Sequence, residues 1–126
     1  MDIVTEGTRK AEFLVSEAND WRSRDAVIVT VPANTTLASG TILGKITATG
    51  KFTRQDTAAV DGSQSHAALL FEPLVNKTAA AVDYDVTAVA RDAEVNGADL
   101  TYEASATAGE ITAANAALAA LGIIVR

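Results

Sequence analysis

From Asp25 onward the chain is patterned as strands. In Ala26-Val27-Ile28-Val29-Thr30-Val31 the valines fall on one face, and Pro32 ends the run. The stretch Leu37 to Thr47 predicts a turn at Ser39-Gly40, then a strand interrupted at Gly44. A glycine inside a strand marks a bulge or a close backbone approach. Thr49-Gly50-Lys51 predicts a turn, with Phe52-Thr53 starting the return strand. Residues 54–65 are polar and form a loop around Asp61-Gly62. Ala67-Ala68-Leu69-Leu70-Phe71 is unbroken by polar residues, as a short buried strand would be, and Pro73 stops it. Val82 to Ala90 alternates again, with Tyr84, Val86, Ala88 and Ala90 on one face. Asn96-Gly97 is a strong turn signal, and Asp99-Leu100-Thr101-Tyr102 predicts one more short strand.

One helix is predicted, near the carboxy terminus. Thr112 is its expected N-cap, Glu110 sits near the positive end of the dipole, and Ala113 to Leu121 are good helix formers. Leu118 and Leu121, with Ala114 and Ala117, make the apolar face, and Gly122 is the expected C′ residue. Ile123-Ile124-Val125 predicts a final strand. The class is therefore α+β and mostly β: a small barrel-like domain of short strands over 25–126, with one docked carboxy-terminal helix.

Residues 1–24 differ from the rest. Ten of the first 25 residues are charged, and between them lie Ile3-Val4, Phe13-Leu14-Val15 and the lone Trp21. Phe13-Leu14-Val15 has no hairpin partner nearby, because Glu17-Ala18-Asn19-Asp20 reads as a turn. The segment is expected to be an extended arm attached to the domain, outside its core. The alternative is an ordinary edge strand, with Trp21 packed on its own domain.

Composition narrows the chemistry. The 126 residues make one domain, or two at most, and can hold a core without staples. There is no cysteine and a single histidine, His66, which excludes disulfides, thiolate nucleophiles and a three-histidine zinc site within the chain. The 26 alanines and 15 threonines, against six aromatic residues, mean a core of small and β-branched side chains. A net charge of −6, with ten basic residues scattered among sixteen acidic ones, gives no stripe for phosphates. Nucleic acid and anionic membranes are therefore not expected partners. The amino terminus lacks a basic region followed by an apolar stretch, which predicts a soluble protein and, for a bacterial or viral origin, one made and kept in the cytosol. The sequons at Asn34 and Asn76 are then accidents of a Thr-rich chain.

Candidate catalytic features fail on spacing. Gly40 to Lys45 falls short of a phosphate loop: three residues separate its glycines, and Ile46 stands where a hydroxyl is needed. Asp83-Tyr84-Asp85 puts two carboxylates on one strand face, where solvated acids beside a buried tyrosine are expected. The Asp56–Gly62 loop lacks calcium-loop spacing. His66 follows Ser63 and Ser65, but sequence neighbours seldom reach the geometry of a nucleophile and its base. Lys45 and Lys51 do not sit at the tight hairpin tip of a carrier domain. No catalytic residue, cofactor or metal site is expected.

Four segments, in order, resemble a known family. They are Glu12 to Asp25, Leu37 to Thr47 followed by Gly50-Lys51-Phe52, Ala90 to Asn96, and Leu118 to Arg126. Together they are similar to the head decoration proteins of tailed bacteriophages, of the phage lambda type. The resemblance implies a β-tulip-like domain and a homotrimer on the local threefold axes of the capsid's outer face. It also implies an amino-terminal arm over 1–24 that pairs with the major capsid protein. The arm's candidate contact residues are Ile3, Val4, Glu12, Phe13, Leu14, Val15, Trp21, Arg22 and Arg24. The protein would be a cement of the virion, added after the shell expands, that resists the pressure of packaged DNA. The competing reading is a surface binding module for a sugar or peptide, against which the scarcity of aromatic residues counts.

Overall fold

A computed structural model describes residues 9–126. Among these residues ten strands and one α-helix follow in chain order: β1 (Leu14–Glu17), β2 (Arg24–Val31), β3 (Thr35–Leu37), β4 (Ile42–Lys45), β5 (Phe52–Arg54), β6 (Ala68–Leu70), β7 (Leu74–Asn76), β8 (Val82–Val89), β9 (Ala93–Val95), α1 (Ala108–Ala120) and β10 (Ile123–Val125). Five of them close a barrel in the order β2-β5-β4-β6-β8. The longest seam is antiparallel, from Arg24 against Val89 to Val31 against Val82. Beside the barrel lie a sheet of order β1-β9-β10 and a small ribbon of β3 and β7.

Two apolar clusters follow from this layout. Val29, Val31, Leu37, Leu43, Ala68, Leu70, Leu74 and Ala88 form one. The other joins Phe13, Ile42, Leu69, Phe71, Val89, Ala93, Val95, Leu100, Ala114, Leu118 and Ile123. Neighbouring residues of β4, β6 and β8 divide between the two: Ile42 and Leu43, Leu69 and Leu70, Val89 and Ala88. Side chains alternate across a strand, so these strands are buried on both faces. That is why 67–71 carries no polar position.

The strands predicted over 26–31, 67–71, 82–90 and 123–125 are present, and Gly122 ends α1 at φ +83° as the C′ residue. The helix differs at its other end. Its N-cap is Thr107, not Thr112: the Thr107 hydroxyl accepts from the Glu110 N–H, and the Glu110 carboxylate accepts from the Thr107 N–H. This reciprocal capping box satisfies two otherwise orphaned donors, which Thr112 could not do from inside the helix, where its hydroxyl donates to the Ala108 carbonyl. Residues 99–102 form no strand beyond a single bridge between Thr41 and Thr101.

Gly44 marks a close approach and not a break, since β4 runs through it. A Cβ there would fall 2.1 Å from the Ser63 carbonyl oxygen. The 55–67 loop lies down on β4 at this point and is held by Thr47 N–H to Asp61 O (2.9 Å) and Ala67 N–H to Leu43 O (2.8 Å). Gln55 is buried beneath it, its amide donating to Gln64 O at 2.9 Å. Gly44→Ala should therefore lift the loop and cost about 1–3 kcal/mol, read as a lower urea midpoint. A midpoint equal to that of the parent would show that the loop moves aside freely.

Candidate interaction surface

The amino-terminal residues in view are built into the domain. The Ala11 N–H donates to the Phe71 carbonyl (2.8 Å) and the Ser39 hydroxyl (3.1 Å), which turns the chain inward. Phe13 is completely buried. This corrects the expectation that Phe13-Leu14-Val15 lies outside the core. The cluster finds its partner far along the chain: β1 runs antiparallel to β9, with Leu14 opposite Val95 and Glu17 opposite Ala93. A bulge between Leu14 and Ser16 turns Val15 out, leaving it 57% exposed. Leu14 packs half-buried against the core, and the edge-strand alternative describes 14–17. Ile3 and Val4 lie outside the described residues. Glu12 is exposed and accepts from the Arg9 N–H at 2.8 Å.

The turn joining β1 to β2 is anchored from below. Ser23 is buried; its hydroxyl donates to the Asp92 carbonyl (2.7 Å) and accepts from the Ala18 N–H (3.1 Å). Arg91 donates to the Arg22 carbonyl and to the Asp25 carboxylate. The Asp25 partner raises the Arg91 pKa. Above these anchors the turn is strained. Asp20 and Trp21 both stand in the left-handed region, at φ +60° and +54°. Such a conformation costs about 1–3 kcal/mol for a side chain of this kind. Trp21 on this turn is 71% exposed.

Arg24 supports this presentation. Its guanidinium grips Glu17 through two nitrogens and lies 4.4 Å from the Phe71 ring centroid and 6.0 Å from that of Trp21. Neither member of the Arg24–Glu17 pair is freely solvated, so the fork holds its geometry better than an exposed pair would. Arg22 is exposed and lies 3.5 Å from Asp92. Val15, Trp21 and Arg22 are thus all exposed, and β1 is the outer strand of its sheet. Among the described residues no strand pairs with its outer edge.

The remaining chemistry-bearing residues do not converge. Ser63 donates to Asp61, not to His66, and this bond lowers the Asp61 pKa. His66 lines a cavity of about 140 Å³ with Gln64, Tyr102, Glu103, Glu110 and Ala113. Burial lowers its pKa, and the charge of Glu103 acts against that shift. Asp83 bonds Lys51 and Thr30 on the surface, both of which lower its pKa, while Tyr84 turns back to donate to the Val75 carbonyl (3.1 Å). No three acidic or histidine side chains among the described residues are grouped to hold a metal ion. A search of curated proteins found no match. A family model described as bacteriophage lambda head decoration protein D matches residues 3–123. With nearly the whole chain covered by that match, the protein belongs to the phage head decoration family.

Proposed function

We propose that the chain is a capsid cement: a homotrimer that seats on the outer face of the expanded head at local threefold axes, binds the major capsid protein and resists internal DNA pressure. The family match over 3–123 carries this reading. The net charge of −6 fits a position outside a DNA-filled shell, away from the phosphates. The work is structural, with no catalytic step.

The contact surface we propose consists of the amino-terminal residues, including Ile3 and Val4, together with Val15, Trp21, Arg22 and the open edge of β1. Phe13 and Leu14 act from behind as their footing, and Arg24 as the brace. One such surface binds weakly, because fixing each segment residue costs about 1–2 kcal/mol and a strand hydrogen bond returns about 0.5–1.5. Three surfaces on one trimer reinforce one another, since the first contact holds the others near their sites.

The test uses expanded heads, sedimented with the parent protein and with Trp21→Gly. Glycine accepts the left-handed turn without strain, so this variant should be as stable as the parent or up to about 1 kcal/mol more stable. It should nevertheless decorate heads less. Undiminished decoration would remove Trp21 from the contact. A parent protein that scatters light as a 13.0 kDa monomer at micromolar concentration would remove the trimer.

A further inference from the structure

Asn96-Gly97 is the one Asn-Gly pair among five asparagines, and nothing in the proposed capsid role uses it. The dipeptide is chemically labile, because a following glycine places no side chain in the way when its backbone nitrogen attacks the asparagine carboxamide. Here the pair is locked from every side. The Gly97 N–H donates to the Arg126 main-chain oxygen at 3.0 Å, and the Asn96 N–H donates to the Phe13 carbonyl at 2.7 Å. The Asn96 carboxamide is held at both ends, accepting from the Ala98 N–H (3.1 Å) and donating to the Asp99 carboxylate (3.0 Å). A Cβ on Gly97 would fall 2.9 Å from Cγ1 of Val125, so β10 lies flat against the pair. Arg126 is itself tied down by its N–H to Val95 O (2.8 Å) and by its guanidinium to Glu94 (3.0 Å).

We propose that Asn96-Gly97 is a self-modification site gated by the carboxy-terminal strand. While β10 is docked, the Gly97 nitrogen is engaged and the carboxamide cannot swing to meet it. When the end of β10 lifts, that nitrogen gives its proton to hydroxide and attacks Cγ of Asn96. The new C–N bond forms as the Cγ–Nδ2 bond breaks, and ammonia leaves after taking a proton from water. Water then opens the succinimide to aspartate or isoaspartate; the net change is one water consumed and one ammonia released, with no redox step. The product cannot restore the original lock. A carboxylate replaces the amide that donated to Asp99, so like charges face each other, and isoaspartate also lengthens the backbone beside the Phe13 anchor. A transient opening thereby leaves a permanent mark.

The experiment incubates three samples at mildly alkaline pH: the folded full chain, the full chain unfolded in urea, and a folded chain ending at Val125. Conversion at Asn96 is read by peptide mapping and by enzymatic methylation of isoaspartate, with Asn19, Asn34, Asn76 and Asn115 as internal references. The folded full chain should convert on the order of tenfold or more slowly than the unfolded chain, with the shortened chain several-fold faster than the full one. Equal rates in folded and unfolded full chain overturn the gate, as does a folded shortened chain no faster than the full one. If the shortened chain does not fold, Glu94→Gln replaces it: this loosens the side-chain tie of Arg126, along with the Glu94 contact to Ser16, and is read by the same two criteria.

Discussion

Phe13→Ala should lower the unfolding free energy by about 3–5 kcal/mol, the largest single loss expected outside the barrel. The side chain is fully buried in a cluster with Ile42, Leu69, Phe71, Val95 and Leu118, so its removal leaves a hole lined by residues from three strands, the turn after β6 and the helix. Backbone collapse cannot fill that hole, because Ala11 and Asn96 pin the chain on either side through their bonds to Phe71 and Phe13. Chemical denaturation of the variant and the parent measures the loss. A change below ~1 kcal/mol would mean that β1 is a detachable segment after all. The same residue limits how an arm deletion can be read. Removing residues 1–8 keeps the footing, whereas removing 1–20 takes Phe13 and β1 with it, and any lost decoration could then reflect a damaged fold.

Leu118→Ala should cost about 2–5 kcal/mol, and Leu121→Ala distinctly less. Leu118 is completely buried, while Leu121 is only half-buried at the helix end. Apart from Ala114, no other residue of α1 is buried, and the remaining turns show mostly alanine to solvent. The helix therefore depends on one anchor. Its own propensity cannot replace that anchor, since an isolated helix of this length is marginal in water. Thermal unfolding of the two leucine variants, and of the double variant with Phe13→Ala, tests this. Phe13 and Leu118 share one cluster, so their losses should not add. Strict additivity would place the two residues in separate cores.

What could be read from the sequence was what neighbours in the chain decide. Val27, Val29 and Val31 show their face by alternation, and 67–71 shows burial on both faces by lacking it. The Gly122 stop and the turn at Gly50 are local chemistry, and both glycines stand at positive φ. The capping box at Thr107-Ala108-Gly109-Glu110 is equally local, but Gly109 within it is a poor helix former, while Thr112 directly precedes the good helix formers from Ala113. The burial of Phe13 was not legible, because its strand is completed by Ala93 to Val95 and no property of 12–25 points there. The charges around Phe13 suggested an arm. They turn out to solvate the border of a strand whose other face is core. The left-handed backbone at Asp20 and Trp21 was not legible either.

The sheet of β1, β9 and β10 also sets the order in which this protein can fold. Ala93, in its middle strand β9, is opposite Glu17 on one side and Ile123 on the other. The cluster around Phe13 therefore needs side chains from the first and last stretches of the described chain at once. During synthesis the barrel strands leave the ribosome well before β10, and Ile123 follows Phe13 by about a hundred residues. A nascent chain must wait with Phe13, Val95 and Leu100 uncovered, and such non-local pairing belongs to the slower end of single-domain folding, in milliseconds to seconds. A host making many copies quickly would hold a standing pool of chains finished in sequence but not yet closed. Assembly on heads would then draw on the rate of that last closure.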